Sequence, residues 1–326
     1  MEHLNLIFLL AFIVLAFVCG LYVGVYKAFP YSQIQTAKQY FLTPLVKWDL
    51  VEEQKVRGHF EQVNTSVFNL EMDTIASLVS AREAPLIVSL HTWSGNYLQP
   101  DPIAQRVVEL GFNYIHPNFQ GPNNSESSCL SQKVISDIDS AIEWAIKNGS
   151  VDSKSIYVIG ASGGGYTALG YASKSKFDIK HTFAWVPITD LNEWYWQSRN
   201  RGSKYADDIL GCAGQEFDEQ KLAQRSPINM NPIRSSKVTI YTGIKDGYKG
   251  SVPISHSINY FNKFAKLEDK INEKDVQKLL TQASKPTSEM IESRQVFIDR
   301  VSGKLRLVVF DGQHEMLENA AIDAIC

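Results

Sequence analysis

Ser155-Ile156-Tyr157-Val158-Ile159-Gly160-Ala161-Ser162-Gly163-Gly164-Gly165-Tyr166-Thr167-Ala168-Leu169 is the stretch that decides how this chain is read. Its first half holds a β-branched and aromatic run, Ile156, Tyr157, Val158 and Ile159, of the kind that fills a strand buried on both faces. The run stops at Gly160, and a helix-compatible run follows from Gly164 onward. Between them, Gly160-Ala161-Ser162-Gly163-Gly164 has the G-x-S-x-G form of a nucleophile elbow. So sharp a strand-to-helix turn forces the serine into strained backbone geometry and leaves no room for neighbouring side chains, hence the glycines. The helix would begin just behind Ser162. Its N-terminal N–H groups and dipole would then face any anion forming there.

Outward from this stretch, short apolar runs at 85–90, 111–117, 181–186, 238–243 and 305–310 read as further strands, with 66–70 and 75–80 as antiparallel edge strands. None is longer than about seven residues. Residues 134–147 put Ile135, Ile138, Ala141, Ile142, Ala145 and Ile146 on one helical face. Strands alternating with helices predict an α/β fold with a mostly parallel central sheet flanked by helices. Two stretches interrupt the alternation. Residues 190–235 hold several short helical pieces and Trp194, Tyr195 and Trp196, and read as a cap; 266–302 read as a charged helical insertion before the last strand.

The chain has 326 residues, 44% hydrophobic and 21% charged, with a net charge of −3. That is ample for one large core, and without a Lys/Arg run nothing points to nucleic acid. The N-terminus differs. From Leu6 to Tyr26 no residue is charged for 21 positions. At about 1.5 Å per residue such a helix spans a hydrocarbon core of roughly 30 Å. Met1-Glu2-His3-Leu4-Asn5 lacks the basic residues of a signal peptide, and Phe17-Val18 before Cys19 lacks the small residue of a lipoprotein site. Residues 1–27 therefore read as an uncleaved transmembrane anchor, 28–65 as a juxtamembrane segment and 66–326 as the catalytic domain. Lys27, Lys38 and Lys47 follow the span and no Lys or Arg precedes it, which favours a cytoplasmic domain without fixing the side. Cys19, Cys129, Cys212 and Cys326 show neither a disulfide framework nor a metal-ligand spacing. Sequons at Asn64, Asn123 and Asn148 would matter only in a eukaryotic secretory context.

An activated serine needs a base and a group to orient that base. Asp246 lies three residues beyond the strand at 238–243, and His314 four beyond the strand at 305–310. Serine, then acid, then histidine, each on a loop at the carboxyl end of a strand, is the order of the α/β-hydrolase fold. Asp311 and Glu315 flank His314 too closely along one loop to orient its ring. His256 and His116 read as structural. The oxyanion formed on attack needs two aimed donors: the N–H of Gly163, and that of Trp93 in His91-Thr92-Trp93-Ser94-Gly95, with Thr92 as the runner-up. Trp194 and Trp196 are candidates for gripping a sugar ring or acyl chain, against the alternative that they pack the cap onto the sheet. No metal or organic cofactor is implied.

The region resembles the catalytic domain of the prolyl oligopeptidase family of serine hydrolases. The resemblance rests on residues 85–91, 116–121, 137–144, 149–152 and 159–169, on Asp246 with Val252-Pro253, and on His314. It covers roughly 66–326 and implies Ser162 as nucleophile, Asp246 as acid and His314 as base. Two departures stand out. Family members that cut peptides usually carry a β-propeller ahead of this domain, whereas fewer than 60 residues separate the apolar span from the first strand here. The family's usual H-G after the third strand is His91-Thr92, which bears on the second oxyanion donor. The expected substrate is thus a small peptide, an ester or a glycan ester; the alternatives are an esterase or acyltransferase acting on carbohydrate or lipid with the same three residues, or a non-catalytic binding relative.

Overall fold

The computed structural model describes residues 14–19, 22, 56–64, 69–230 and 236–326. Most of the expected anchor and juxtamembrane segment lies outside these residues; 14–19 are helical. No helix among the described residues is long and apolar enough to cross a membrane. The chain divides into one unit of Met1–Asp49 with Leu98–Pro100 and another of Leu50–Tyr97 with Asp101–Cys326. The elements below belong to the second.

In chain order they are β1 (Val56–Asn64), β2 (Asn69–Ser77), β3 (Ala84–Leu90), α1 (Ala104–Glu109), β4 (Asn113–Pro117), α2 (Gln132–Asn148) and β5 (Val151–Ala161). Then come α3 (Gly163–Lys174), β6 (Ile179–Trp185), α4 (Leu191–Asn200), α5 (Tyr205–Ala213), α6 (Glu219–Gln224) and β7 (Lys237–Gly243). The chain closes with α7 (Ser255–Phe264), α8 (Glu273–Leu280), β8 (Met290–Ile291), β9 (Arg294–Ser302), β10 (Leu305–Phe310) and α9 (Glu318–Ile325). The strands form one sheet in the order β1-β2-β4-β3-β5-β6-β7-β10-β9-β8. From β4 to β10 every pairing is parallel, and antiparallel strands complete both edges. This is an α/β-hydrolase-like fold, a mixed sheet flanked by helices.

Local chemistry explains the elements that carry the site. Ile156, Val158 and Ile159 of β5 are buried between neighbours β3 and β6 on either side. In α2 the Ser131 hydroxyl caps the first turn by accepting from the Val134 N–H, and Val134, Ile138, Ala141, Ile142 and Ala145 bury one face. Asp190 caps α4, accepting from the N–H groups of Asn192 and Glu193. Two apolar clusters stand out among the described residues. One gathers α2, α3 and the helices following β6; the other gathers β7, β10, α7 and α8.

Three expectations need correction. The described sheet begins at Val56, not near 66, and one strand, β2, runs from Asn69 to Ser77 beside β1 where two edge strands are expected at 66–70 and 75–80; 66–68 lie outside the described residues. A register shift between Phe60 and Val63 breaks the alternation of β1, which hides a strand from a period-of-two reading. The strands are also longer than expected, β5 running to 11 residues. In the 266–302 insertion only Glu273–Leu280 is a helix of more than one turn; β9 lies antiparallel along β10. Its charges are those of a half-exposed outer strand, with Asp299 ion-paired to Arg306 of β10.

Candidate active site

Ser162 stands between β5 and α3 with φ 57° and ψ −117°, a backbone conformation that costs a non-glycine residue about 1–3 kcal/mol. Its N–H donates to the Trp185 carbonyl at 2.8 Å, and its own carbonyl receives the Tyr166 N–H at 2.9 Å. The next residue has no room for a side chain: a Cβ on Gly163 would lie 2.2 Å from the Trp93 nitrogen and 2.3 Å from its Cα. The backbones of Gly163 and Trp93 are therefore pressed together directly after the serine. Gly163 is the first residue of α3, so its N–H has no intrahelical partner.

Trp93 is held from its other side. Its carbonyl accepts from the Asn123 N–H at 2.8 Å, and Asn123 Oδ1 accepts from the Cys129 N–H at 3.0 Å. Cys129 is disulfide-bonded to Cys212 of α5, 83 residues away. The sequence leaves the pairing of the cysteines open, since two so distant along the chain carry no spacing signal. The buried His91 stacks on Phe119 with centroids 3.8 Å apart, and burial holds its pKa down at about 3. Burial lowers His116 likewise.

Asp246 and His314 meet. The carboxylate is 1% exposed; its Oδ2 accepts from His314 Nδ1 at 2.7 Å, and its Oδ1 accepts from the N–H groups of Gly247 at 2.8 Å and Val252 at 3.3 Å. Those bonds fix the ring's tautomer, Nδ1 carrying the proton and Nε2 left basic. Asp311 and Glu315 have other partners, Lys245 and Arg294. His256 is fully buried in contact with Thr189 and Gln197, a structural role. Ser162 follows β5, Asp246 follows β7 and His314 follows β10, all at the carboxyl edge of the parallel strands, and β5 lies two places from β7, roughly 10 Å across the sheet.

The two tryptophans part company. Trp194 is 1% exposed, so it has no face to offer a ligand; it packs on Trp93 and Tyr205. Trp196 is 47% exposed beside Tyr195 and Phe217, with the Arg199 guanidinium 5.5 Å from its ring centre. Among the described residues no group of His, Cys, Asp and Glu is arranged to hold a metal ion.

The sequence model of the prolyl oligopeptidase family matches residues 101–285, more than half of the chain and inclusive of the elbow and Asp246. The chain belongs to the prolyl oligopeptidase family of serine peptidases. Its fold is shared with solved structures at low identity. A Mycobacterium tuberculosis puromycin-hydrolyzing peptidase superposes with a TM-score of 0.56 at 14% identity, covering 83% of this chain and 37% of the other. A Pyrococcus horikoshii acylaminoacyl peptidase gives 0.54 at 15%, covering 80% and 37%. An acylaminoacyl peptidase bound to Z-Gly-Gly-Phe-chloromethyl ketone gives 0.56 at 14%, covering 83% and 40%. This prolyl oligopeptidase family chain thus spans about two-fifths of the length of those structures. No curated protein sequence matches it.

Proposed function

We propose that the chain is a membrane-anchored serine hydrolase that cleaves a peptide, amide or ester bond through an acyl-enzyme on Ser162. His314 Nε2 takes the serine proton as Oγ attacks the substrate carbonyl, then returns it to the leaving group. Asp246 keeps the ring in the tautomer that permits this and stabilises the imidazolium. The N–H groups of Gly163 and Trp93 receive the oxyanion. Water, activated by the same imidazole, releases the acyl group. The observation that carries this reading is a strained serine at a strand-to-helix turn on the same sheet edge as a buried, hydrogen-bonded Asp246–His314 pair. Family membership favours an amide bond.

The apolar run of 21 residues from Leu6 to Tyr26 supports the anchor. The Cys129–Cys212 disulfide supports a domain facing an oxidising compartment, against the lysine bias, because thiols are kept reduced in the cytosol. The test is hydrolysis of p-nitrophenyl esters and of prolyl and aminoacyl amides by detergent-solubilised full-length protein beside Ser162→Ala. Turnover of an ester or amide that the variant loses is the expected result. Turnover retained by the variant would overturn the assignment.

A further inference from the structure

Trp194 sits in the first turns of α4, outside the three side chains that do chemistry, yet it touches both halves of the site. Its indole meets Trp93 edge to face, centroids 4.7 Å apart and planes at 79°. Its Nε1–H donates to the Ser251 carbonyl at 2.9 Å. Ser251 lies between Asp246 and α7, and its carbonyl shares one planar peptide unit with the Val252 N–H. That N–H is one of the two donors to Asp246 Oδ1. A single chain of hydrogen bonds therefore runs from the indole through the 251–252 peptide to the carboxylate, and from Oδ2 to the imidazole. Bonds in such a chain polarise one another, and an accepting carbonyl makes its own N–H a better donor. The loop is closely fitted there: a Cβ on Gly250 would lie 2.2 Å from Asp246 Oδ1 and 2.6 Å from His314 Cβ. A small rotation of the peptide would thus be felt by both residues.

We propose that Trp194 is a positioning residue for this active site, setting the orientation of the Asp246–His314 pair through the 251–252 peptide while bracing the Trp93 loop. The cap helix α4 is then part of the catalytic apparatus, although its indole is buried away from substrate. The proposal rests on Ser162 being the nucleophile, and the tests keep the two apart. Full-length wild type, Trp194→Phe, Asp246→Asn and the double variant are compared for kcat and KM on p-nitrophenyl acetate, for the rate of phosphonylation by a fluorophosphonate, and for thermal stability. Phenylalanine keeps an aromatic face and removes the donor; benzothienylalanine at 194 keeps the full outline and covers the case in which Trp194→Phe does not fold.

Loss of one neutral hydrogen bond predicts about a five- to tenfold fall in kcat with KM within about twofold. In the Asp246→Asn background the further loss should be under about twofold, because both changes act through one carboxylate. A Trp194 variant that lowers only stability, one that raises only KM, or one whose effect multiplies in full with Asp246→Asn overturns the proposal. Wild type that no fluorophosphonate modifies at Ser162 overturns the hydrolase reading, and this inference with it.

Discussion

Gly163→Ala loads a close backbone approach directly beside Ser162. The added methyl would begin 2.2 Å from the Trp93 nitrogen and 2.3 Å from its Cα, where ordinary van der Waals contact starts at 3.4 Å. Both obstacles are backbone, so no side chain can swing aside. Nor is the Trp93 loop free to retreat: its carbonyl is bonded to Asn123 at 2.8 Å, and its ring is wedged against Tyr166 and Trp194. Relief requires the two chains to separate by more than about 1 Å, which stretches a normal hydrogen bond of about 2.9 Å beyond useful length. One oxyanion donor is effectively lost, at about 10²–10³ in kcat. Overpacking itself costs about 1–3 kcal/mol, or roughly 2–4 °C in Tm for each kcal/mol in a domain of this size. The assay is kcat and the phosphonylation rate of folded protein, with Tm alongside. A folded Gly163→Ala variant within about threefold of wild type would refute the assignment of these two amides.

Other expectations follow from particular residues. Asp246→Asn should cost about 10⁴ in kcat by presenting the imidazole in the wrong tautomer, with little loss of Tm since the packing is kept. Burial pushes the pKa of Asp137 up to about 7, its Oδ2 accepting from Gln120 Nε2. The folded protein then holds a proton that the unfolded chain has released, so this carboxyl weakens the fold progressively as pH rises from about 4 to about 7. Asp137→Asn should accordingly raise Tm at pH 8 by an amount worth up to a few kcal/mol and do nothing at pH 4, as read by differential scanning calorimetry. His91, His116 and His256 run the other way: burial lowers all three, so stability should fall as pH drops below about 6.5, where only the unfolded chain takes up their protons. His256→Gln should flatten that acid slope by about one proton. Cutting the Cys129–Cys212 bridge with a phosphine should destabilise the domain by up to about 4.5 kcal/mol in urea titrations, given the 83-residue loop, and slow phosphonylation as Asn123 loosens.

What the sequence reveals here is what local chemistry dictates. The elbow is legible because its strand, turn and helix each carry their own signal within fifteen residues, and Asp246 and His314 are legible because each lies a few residues beyond an apolar run. The features that escape depend on tertiary partners. β1 is hidden by its register shift between Phe60 and Val63, and β9 by the charges of a half-exposed strand. The Cys129–Cys212 bridge joins the segment ahead of α2 to α5, which no spacing rule anticipates. Trp194 reads in the sequence as either a ligand-gripping or a packing aromatic; its bond to Ser251, 57 residues on, is a property of the fold alone.

Everything turns on the reactivity of one hydroxyl. Incubation of the full-length protein with a fluorophosphonate, followed by peptide mass spectrometry, measures it directly. The account predicts a single phosphonyl adduct on Ser162, formed rapidly by wild type and at least 10²-fold more slowly by Asp246→Asn. An unmodified Ser162, or an adduct on another serine that survives Ser162→Ala, would contradict it.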